Sequence, residues 1–408
     1  MPYNKGLPRR RFLSAAGATV GAAALGGCSE RAGERYTQAD IDLLARQREQ
    51  EAASKGKGPY GKQVYAGYRG LAELPWFELD DNGELLCVDD TIPYAIDVHA
   101  HLGMSVLFKP QLDLLARTPR TKHLLDCDAT NPGCDLDLDI YINGNFTEDA
   151  LDDLAAHTLG QGLWGSKFAR THTIPNLLRE MDAMRVQQAL LLPIKLGLPF
   201  GDTLTEDWRR AVMAADAGSR LRAGLSVFPS DLDAITKMRQ YAKSGARIMK
   251  LHPTVQQFYP DDTAIMDIYD EAERLGLVIF YHGGRAGIEP ESRHRYAMPR
   301  HYELPLRDFP KLQFILGHAG ARDADAMLQL ATRYDNAWLG LHGQGVTHLE
   351  KMIQVTGGER LLFGTDWPFY HLGASLAKVL IVTNKAGREQ LRADILRENA
   401  VRLFPELG

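Results

Sequence analysis

Eight short apolar runs, separated by loops and longer helical patterns, recur between residues 94 and 368 of this 408-residue chain. They are YAIDVHAHL, VQQALLLPI, LRAGLSVFP, ARIMKLHPT, LVIFYHGG, LQFILGHAG, AWLGLHG and RLLFGTDWP. Strands that alternate with helices pair in parallel through right-handed crossovers. Eight such units predict an α/β fold, a closed TIM-like (β/α)8 barrel. An open doubly wound sheet is the alternative, but it needs a glycine-rich phosphate loop where this chain has HLGMSVLFKP.

The first 27 residues are typical of an export signal. A basic start at residues 9–11 precedes a short apolar stretch over residues 12–25, and small residues lead to Cys28. RRRFL resembles the twin-arginine motif, and LGGC resembles a lipobox. These resemblances imply removal of residues 1–27, export of the folded chain, and a lipid anchor at Cys28 in the periplasm or at the cell surface. A basic start that only mimics such a signal is the alternative.

The composition is that of a soluble globular protein, with 45% apolar and 24% charged residues. The formal net charge is −5, and no block of basic residues follows the N-terminus. Both features argue against a nucleic-acid partner, since such surfaces are strongly basic. We expect a small-molecule substrate, with the lipid anchor as the protein's sole attachment to a membrane.

Two segments fall outside the repeating pattern. Residues 28–92 form an N-terminal extension, with an amphipathic helix near 37–54, a Gly/Lys-rich linker and a hairpin that turns at DNG. Residues 93–408 form the barrel, and an insertion over about 103–172 follows its first strand. A connection of this length exceeds an ordinary βα loop. We expect a lid or specificity element, which either closes over the site or reaches a neighbouring subunit of a homo-oligomer.

The insertion carries two cysteines. Cys127 and Cys134 flank an Asn-Pro-Gly turn, and a disulfide between them could persist in an oxidising compartment. Two free thiols are the alternative, and the sequence leaves both open.

Histidines concentrate at the carboxyl ends of the predicted strands, where barrel enzymes have their active sites. Side chains alternate along a strand, so His99 and His101 point to one face of the first strand. Two buried imidazoles are costly unless something satisfies them, and a metal ion is the commonest reason. The other strand ends supply Lys250, His252, His282, His318, His342 and Asp366. We therefore predict a metal centre.

Imidazoles and one carboxylate suit a borderline divalent cation, here zinc, with manganese as the alternative. Three histidines and an aspartate leave a position for water, whose pKa the metal lowers toward neutrality. Asp366 could bind the metal and take a proton from that water, and His318 could polarise the substrate's oxygen. We expect these two residues to be catalytic.

Five segments in barrel order carry a resemblance to a known family. DVHAHL, KLHPTVQQF, YHGG, FILGHAG and LLFGTDWPF resemble signature segments of the amidohydrolase superfamily. They are most similar to its amidohydrolase-related branch, which includes aminocarboxymuconate-semialdehyde decarboxylase, resorcylate decarboxylases and sugar or pyrone-dicarboxylate lactonases. The resemblance covers about residues 94–405. It implies a distorted barrel, a metal held by His99, His101, His282 and Asp366, and His318 as the catalytic histidine.

Lys250 leaves the number of metals open. Binuclear members of the superfamily use a carboxylated lysine at the fourth strand as a bridge, and His318 would then bind a second metal. In the branch resembled here, this lysine is usually an unmodified structural or substrate-binding group. We favour one metal, with Lys250 and His252 on one strand face lining the barrel mouth.

The loops give hints of the substrate. Arg285, Arg293 and Arg295 follow the fifth strand, and Lys195 follows the second. An arginine fork suits a carboxylate, so we expect Arg285 to bind an acidic substrate. Solvated surface charges are the alternative for each of these residues.

Three functions remain in view. The first is a metal-dependent hydrolase that acts on a lactone, ester or amide of a small organic acid. The second is a metal-dependent, non-oxidative decarboxylase of a small carboxylic acid. The third is a catalytically silent lipoprotein that keeps the barrel for binding, which the intact set of polar strand ends disfavours. The choice of hydrolase over decarboxylase rests on family analogy.

Overall fold

The structure is a computed structural model that describes residues 36–105, 112–128, 134–147, 149–154, 156, 168–198 and 201–408. The predicted export signal and the anchor at Cys28 lie outside these residues. Within them, no helix is both long enough and apolar enough to cross a membrane.

Eight parallel strands surround the centre of the molecule. In chain order the strands of the structure are β1 (Val64–Ala66), β2 (Phe77–Leu79), β3 (Leu85–Cys87), β4 (Ala95–Ala100), β5 (Asp135–Asp137), β6 (Val186–Leu191), β7 (Leu221–Ala223), β8 (Ile248–Leu251), β9 (Val278–Tyr281), β10 (Gln313–Leu316), β11 (Ala337–Gly340) and β12 (Leu361–Leu362). The eight parallel strands form one run of three, β4-β6-β7, and one of five, β8-β9-β10-β11-β12.

Two single bridges join these runs into a closed barrel. Leu225 pairs in parallel with Met249 beyond the end of β7, and Ala100 pairs in parallel with Trp367 beyond the end of β12. The strands at the joints are short, because β7 has three residues and β12 has two. The predicted (β/α)8 barrel is confirmed, and it is distorted at these two joints.

Helices alternate with the barrel strands along the chain, and several of them are amphipathic. The helices are α1 (Gln38–Ser54), α2 (Ile174–Ala183), α3 (Leu204–Ala214), α4 (Ala234–Lys243), α5 (Pro253–Gln256), α6 (Thr263–Leu275), α7 (Glu303–Asp308), α8 (Ala324–Arg333), α9 (Val346–Thr356), α10 (Leu372–Thr383), α11 (Glu389–Ala393) and α12 (Asn399–Leu403). Helix α6 shows the local rules. The side chain of Asp262 accepts a hydrogen bond from Ala264 N at its start, and Gly276 ends it with φ 63°. It buries Ile265 and Ile268, each contributing about 1.5–3 kcal/mol to stability.

The inside of the barrel has its own apolar cluster, which includes Ile96, Val98, Phe280 and Ile315 from the strands and Phe404 from the C-terminal segment. The Phe280 ring contacts the His99 ring, with centroids 4.7 Å apart. The cluster therefore forms a packed apolar floor directly under the polar strand ends.

The N-terminal extension and the insertion pack together. The extension contains α1 and the antiparallel pair β2–β3, and its strand β1 pairs antiparallel with β5 of the insertion. A disulfide joins Cys127 to Cys134, which resolves the alternative that the sequence left open. Residues 149–154 of the insertion are helical.

Candidate metal centre

The first and last barrel strands bring the central residues of the site together. His99 lies in β4, and His101 follows its end. Asp366 N donates to His99 O over 2.7 Å, and His101 N donates to Trp367 O over 2.7 Å. Asp366 has a φ of 59°, an uncommon value outside glycine that often marks a functional position. Backbone pairing at the closing joint thus sets the mutual position of these three side chains.

Their side chains fit a cation. Asp366 Oδ1 lies 3.2 Å from His99 Nε2 and 3.0 Å from His101 Nε2. Ligand atoms around a tetrahedral zinc, with bonds of about 2.0–2.1 Å, are separated by about 3.4 Å. His101 Nδ1 donates to Leu192 O over 2.8 Å, so a neutral His101 presents a bare Nε2 to the carboxylate. Two lone pairs at this distance require a proton or a metal ion between them.

A second group shares the same carboxylate. The ligand atoms of His318, His342 and Asp366 lie within 4.8 Å of one another, as do those of His99, His101 and Asp366. His342 Nε2 is 3.5 Å from Asp366 Oδ2. Burial holds the pKa of His99, His318 and His342 well below its ordinary value, and the neutral imidazole is the form that binds metals.

His282 lies beside the metal-type cluster, which consists of His99, His101, His318, His342 and Asp366. Its Nε2 donates to Glu289 Oε1 over 2.7 Å, and its Nδ1 is 3.1 Å from His318 Nε2. Burial would raise the pKa of Glu289, but His282 lowers it to about 2. With Nε2 directed at Glu289, His282 offers Nδ1 to His318 Nε2, and the buried His318 Nδ1 has no partner among the described residues. The structure does not bring His282 into either group of ligand atoms, and its assignment as a ligand stays a prediction.

His252 and Lys250 are also at the mouth of the barrel. The His252 ring stacks on His282 with centroids 4.0 Å apart. Lys250 Nζ is 3.4 Å from His99 Nε2 and 4.5 Å from the centroid of the Phe280 ring. Burial lowers the pKa of Lys250 to about 7, against the opposing charge of Asp366. Lys250 thus contacts the cluster, as both interpretations of its role require.

The guanidinium group of Arg285 is bound by other residues of the protein. It is fully buried, and its Nε and Nη2 donate to the two carboxylate oxygens of Asp323 over 2.9 and 2.6 Å. Its Nη1 donates to Asp40 O of α1 over 2.6 Å. Since these bonds occupy the fork, the geometry does not support Arg285 as the substrate's carboxylate partner. Lys195 likewise bonds Asp202, with Nζ 2.7 Å from its carbonyl oxygen.

The insertion folds back over the cluster. Ile142 N donates to Gly343 O over 2.9 Å, next to His342. Asn143 Nδ2 donates to Ala286 O over 3.1 Å. These bonds place Tyr141 against the site, a residue that the sequence analysis missed because irregular segments carry no periodic signal.

Helix α1 of the extension also reaches the loops at this end of the barrel. Arg48 Nη2 donates to Gly287 O over 3.4 Å, and Glu51 pairs with Arg322 over 2.8 Å. The ligand-type side chains are consequently buried, with exposures of 1% for His99 and 7% for Asp366.

Glu180 of α2 is a second residue that sequence reasoning missed. Its carboxylate accepts from Trp367 Nε1 over 3.0 Å, from Leu372 N over 2.9 Å and from His123 Nε2 over 3.0 Å. Burial would raise the pKa of Glu180, but His123 and His371 lower it to about 2. This ionised group ties three chain segments together behind the loop that carries Asp366.

Fold and site are those of the metal-dependent barrel enzymes: parallel strands, a packed floor, and histidines with one aspartate at the carboxyl ends. The chain belongs to the amidohydrolase family, because the profile of that family, described as Amidohydrolase, matches residues 96–405, well over half of the sequence. No curated protein matches the chain significantly.

Solved structures resemble the barrel at low sequence identity. An uncharacterised TIM-barrel protein from Bordetella bronchiseptica is 20% identical, with a TM-score of 0.53 over 77% of this chain and 99% of that one. A 5-carboxyvanillate decarboxylase from Novosphingobium aromaticivorans, solved with manganese and a nitrobenzoic acid, is 13% identical, with a TM-score of 0.51 over 78% of this chain and 97% of that one. At these identities the likeness establishes the fold alone.

Proposed function

We propose that the protein is a metal-dependent hydrolase that cleaves a lactone, ester or amide of a small organic acid. The observation that carries this proposal is the approach of Asp366 Oδ1 to the bare Nε2 of His101 over 3.0 Å. That arrangement requires a proton or a metal ion between the two atoms, and His99, His101 and Asp366 would hold the metal. A bound zinc or manganese would polarise the substrate's carbonyl and lower the pKa of a water.

The residues around this position supply the remaining hydrolytic roles. Burial would raise the pKa of Asp366, but His101 and His318 hold it below its ordinary value. The carboxylate is therefore ionised near neutral pH and can accept the proton of the attacking water. The unpartnered Nδ1 of His318 accepts a hydrogen bond and so orients the attacking water or a hydroxyl of the substrate. His282 and Glu289 fix the tautomer of His318 from behind, as outer partners commonly do in metal sites.

We propose that each chain binds one cation. In this form Lys250 is not carboxylated, and its ammonium group lies over the Phe280 ring. The group of His318, His342 and Asp366 favours a second candidate, a binuclear hydrolase in which Asp366 serves both positions. Metal analysis of protein purified without chelators distinguishes these forms. About one metal per chain supports the first. Two per chain, reduced in Lys250→Ala, would replace it with the second.

The reaction is tested with the metal-loaded protein and a panel of aryl esters, lactones and phenolic acids. We expect the protein to release acid from an ester or lactone, which pH-stat titration measures. We expect no release of carbon dioxide from the phenolic acids. Carbon dioxide from a phenolic acid would overturn the hydrolase in favour of the decarboxylase. Tight binding without turnover would favour the silent binding lipoprotein.

We also propose that the chain is exported by the twin-arginine route and anchored at Cys28. The Cys127–Cys134 disulfide supports this proposal, because such bonds persist outside the reducing cytoplasm. Cell fractionation tests it. Cys28→Ser should release the protein from the membrane fraction, and Arg9→Lys with Arg10→Lys should retain it in the cytoplasm. An unchanged distribution in both variants would refute the signal.

A further inference from the structure

One phenol of the insertion, Tyr141, lies beside Gly343, the residue that follows His342 of the metal-type cluster. The Tyr141 ring packs against Gly343, where an added Cβ would be 2.7 Å from Tyr141 Cε2. Gly343 has a φ of 85° and directly follows His342. The next residue, Ile142, donates its backbone N–H to Gly343 O, which holds Tyr141 in contact with Gly343. Tyr141 is therefore held beside Gly343 by its own ring and by the backbone of Ile142.

The hydroxyl of Tyr141 is unusual in this protein. It is buried and has no hydrogen-bond partner among the described residues. Among the described residues, each of the other buried tyrosines has a hydrogen-bond partner for its hydroxyl. They are Tyr65, Tyr68, Tyr269, Tyr281, Tyr302 and Tyr370. An unpaired buried hydroxyl lowers stability, and a ligand that accepts its hydrogen bond would recover that loss.

The charges around this hydroxyl make it a donor. Burial raises the pKa of Tyr141 well above its ordinary value, and the carboxylates of Glu289 and Asp366 raise it further while Arg322 opposes them. The phenol is thus neutral and has a proton to donate. The neighbouring phenol is already engaged, since Tyr370 donates to Asn143 Oδ1 and its ring lies 5.0 Å from that of His342.

We propose that Tyr141 is a substrate-binding residue, which donates its hydroxyl proton in a hydrogen bond to a carboxylate or carbonyl oxygen of the substrate at the metal cluster. This proposal rests on the hydrolase function and names the group that receives the acid. It replaces Arg285, whose fork is occupied by Asp323, as the candidate for that role. The insertion is then a specificity element, since it alone supplies this donor.

The test uses Tyr141→Phe, which keeps the ring and removes the hydroxyl, and Tyr68→Phe as the matched control. Tyr68 donates to Leu125 O over 2.6 Å. Without substrate, we expect Tyr141→Phe to unfold at the same temperature as the wild type or higher, and Tyr68→Phe to unfold at a lower temperature. A loss in Tyr141→Phe equal to that of the control would show a structural partner and overturn the proposal.

Catalysis and binding complete the test on the holoenzyme. With unchanged metal content, kcat/KM for the best ester or lactone should fall about tenfold in Tyr141→Phe, the effect of one lost hydrogen bond, and should not change in Tyr68→Phe. Equal kcat/KM would overturn the assignment. If the wild type hydrolyses nothing, the hydrolase function fails separately. Benzoate must then raise the unfolding temperature of the wild type more than that of Tyr141→Phe, and an equal shift or no shift overturns the role of Tyr141.

Discussion

The indole Nε1 of Trp367 donates a hydrogen bond to Glu180 Oε2 over 3.0 Å. Trp367 follows Asp366 directly, and its carbonyl oxygen accepts the backbone N–H of His101 over 2.7 Å. Glu180, on an outer helix, therefore braces the short segment on which the spacing of Asp366 and His101 depends. It acts through Trp367 and is a positioning residue.

Glu180→Gln should destabilise the protein by about 2–4 kcal/mol, because it leaves the buried His123 without its anionic partner. It should also weaken metal binding, since Trp367 loses its brace. Denaturant unfolding and metal titration measure the two effects. Asp182→Asn is the matched control on the same helix, at an exposed pair with Arg220, and should change stability by less than about 1 kcal/mol. Wild-type metal affinity in Glu180→Gln would contradict the positioning role.

The stability difference between wild type and Glu180→Gln should depend on pH. The folded-state pKa of Glu180 falls from 4.5 to about 2, so its contribution is present above 4.5 and is lost as the pH falls toward 2. Glu180 also raises the pKa of His123 against the effect of burial, so that contribution is lost as the pH rises through the folded-state value. The difference should therefore be largest between about pH 4.5 and 6.5. A flat profile by denaturant unfolding would argue against the ion pair.

His101→Ala should lose bound metal and activity together. Its Nε2 faces Asp366, and its Nδ1 is fixed by Leu192 O, so no other group can replace it without rearrangement. Metal content per chain and turnover measure the loss. His348→Ala is the control, because His348 is half-exposed on α9 and lies 3.7 Å from Asp325, and it should retain both. Full metal content with near-wild-type turnover in His101→Ala would exclude the proposed centre.

Arg285→Met should destabilise the protein by about 3–5 kcal/mol, because it leaves Asp323 buried and unpaired. Combining it with Asp323→Asn should recover most of that loss, since the amide oxygen can still accept the N–H of residue 285. Denaturant unfolding of the single and double variants measures this coupling. If the single variant kept its stability and raised only KM, Arg285 would be the substrate residue that the sequence first suggested.

Lys378 offers a second pH test, next to the residue that follows His342. This buried lysine donates to Gly343 O over 3.2 Å, and burial lowers its pKa from 10.5 to about 7 against the charges of Asp137, Asp139 and Glu51. Because the unfolded chain binds the extra proton between these values, wild-type stability should rise from about pH 7 to about pH 10 relative to Lys378→Met. Denaturant unfolding across this range checks the slope. If the free energies of unfolding of the wild type and Lys378→Met changed in parallel with pH, Lys378 would stay charged in the folded protein.

The sequence predicted the barrel and the meeting of His99, His101 and Asp366 for one physical reason. Parallel strands have their carboxyl ends at one edge of the barrel, so residues at strand ends converge whatever the loops do. The same rule anticipated the places of His318 and Lys250. Prediction of this part of the site needed only the strand pattern.

The partners of Arg285 and His282 could not be predicted in the same way. Asp323 and Glu289 lie in irregular segments, where no period assigns a side chain to a face. The position of Tyr141 depends on hydrogen bonds between segments that are far apart in the chain, such as the bond from Ile142 N to Gly343 O. Glu180 looked like any polar residue of an amphipathic helix. Each of these roles depends on which surfaces meet after the barrel forms.

The joint between β4 and β12 has a consequence for how the chain completes its fold. The bridge of Ala100 with Trp367 and backbone bonds such as Asp366 N to His99 O close the ring there, and the contact between His101 and Asp366 spans 265 positions. Pairings over such separations carry the largest loop-closure cost and form slowly. A cation held between His101 and Asp366 would act as a clasp across that joint. We therefore expect the metal-free chain to be cleaved by proteases at this joint more readily than the metal-loaded chain.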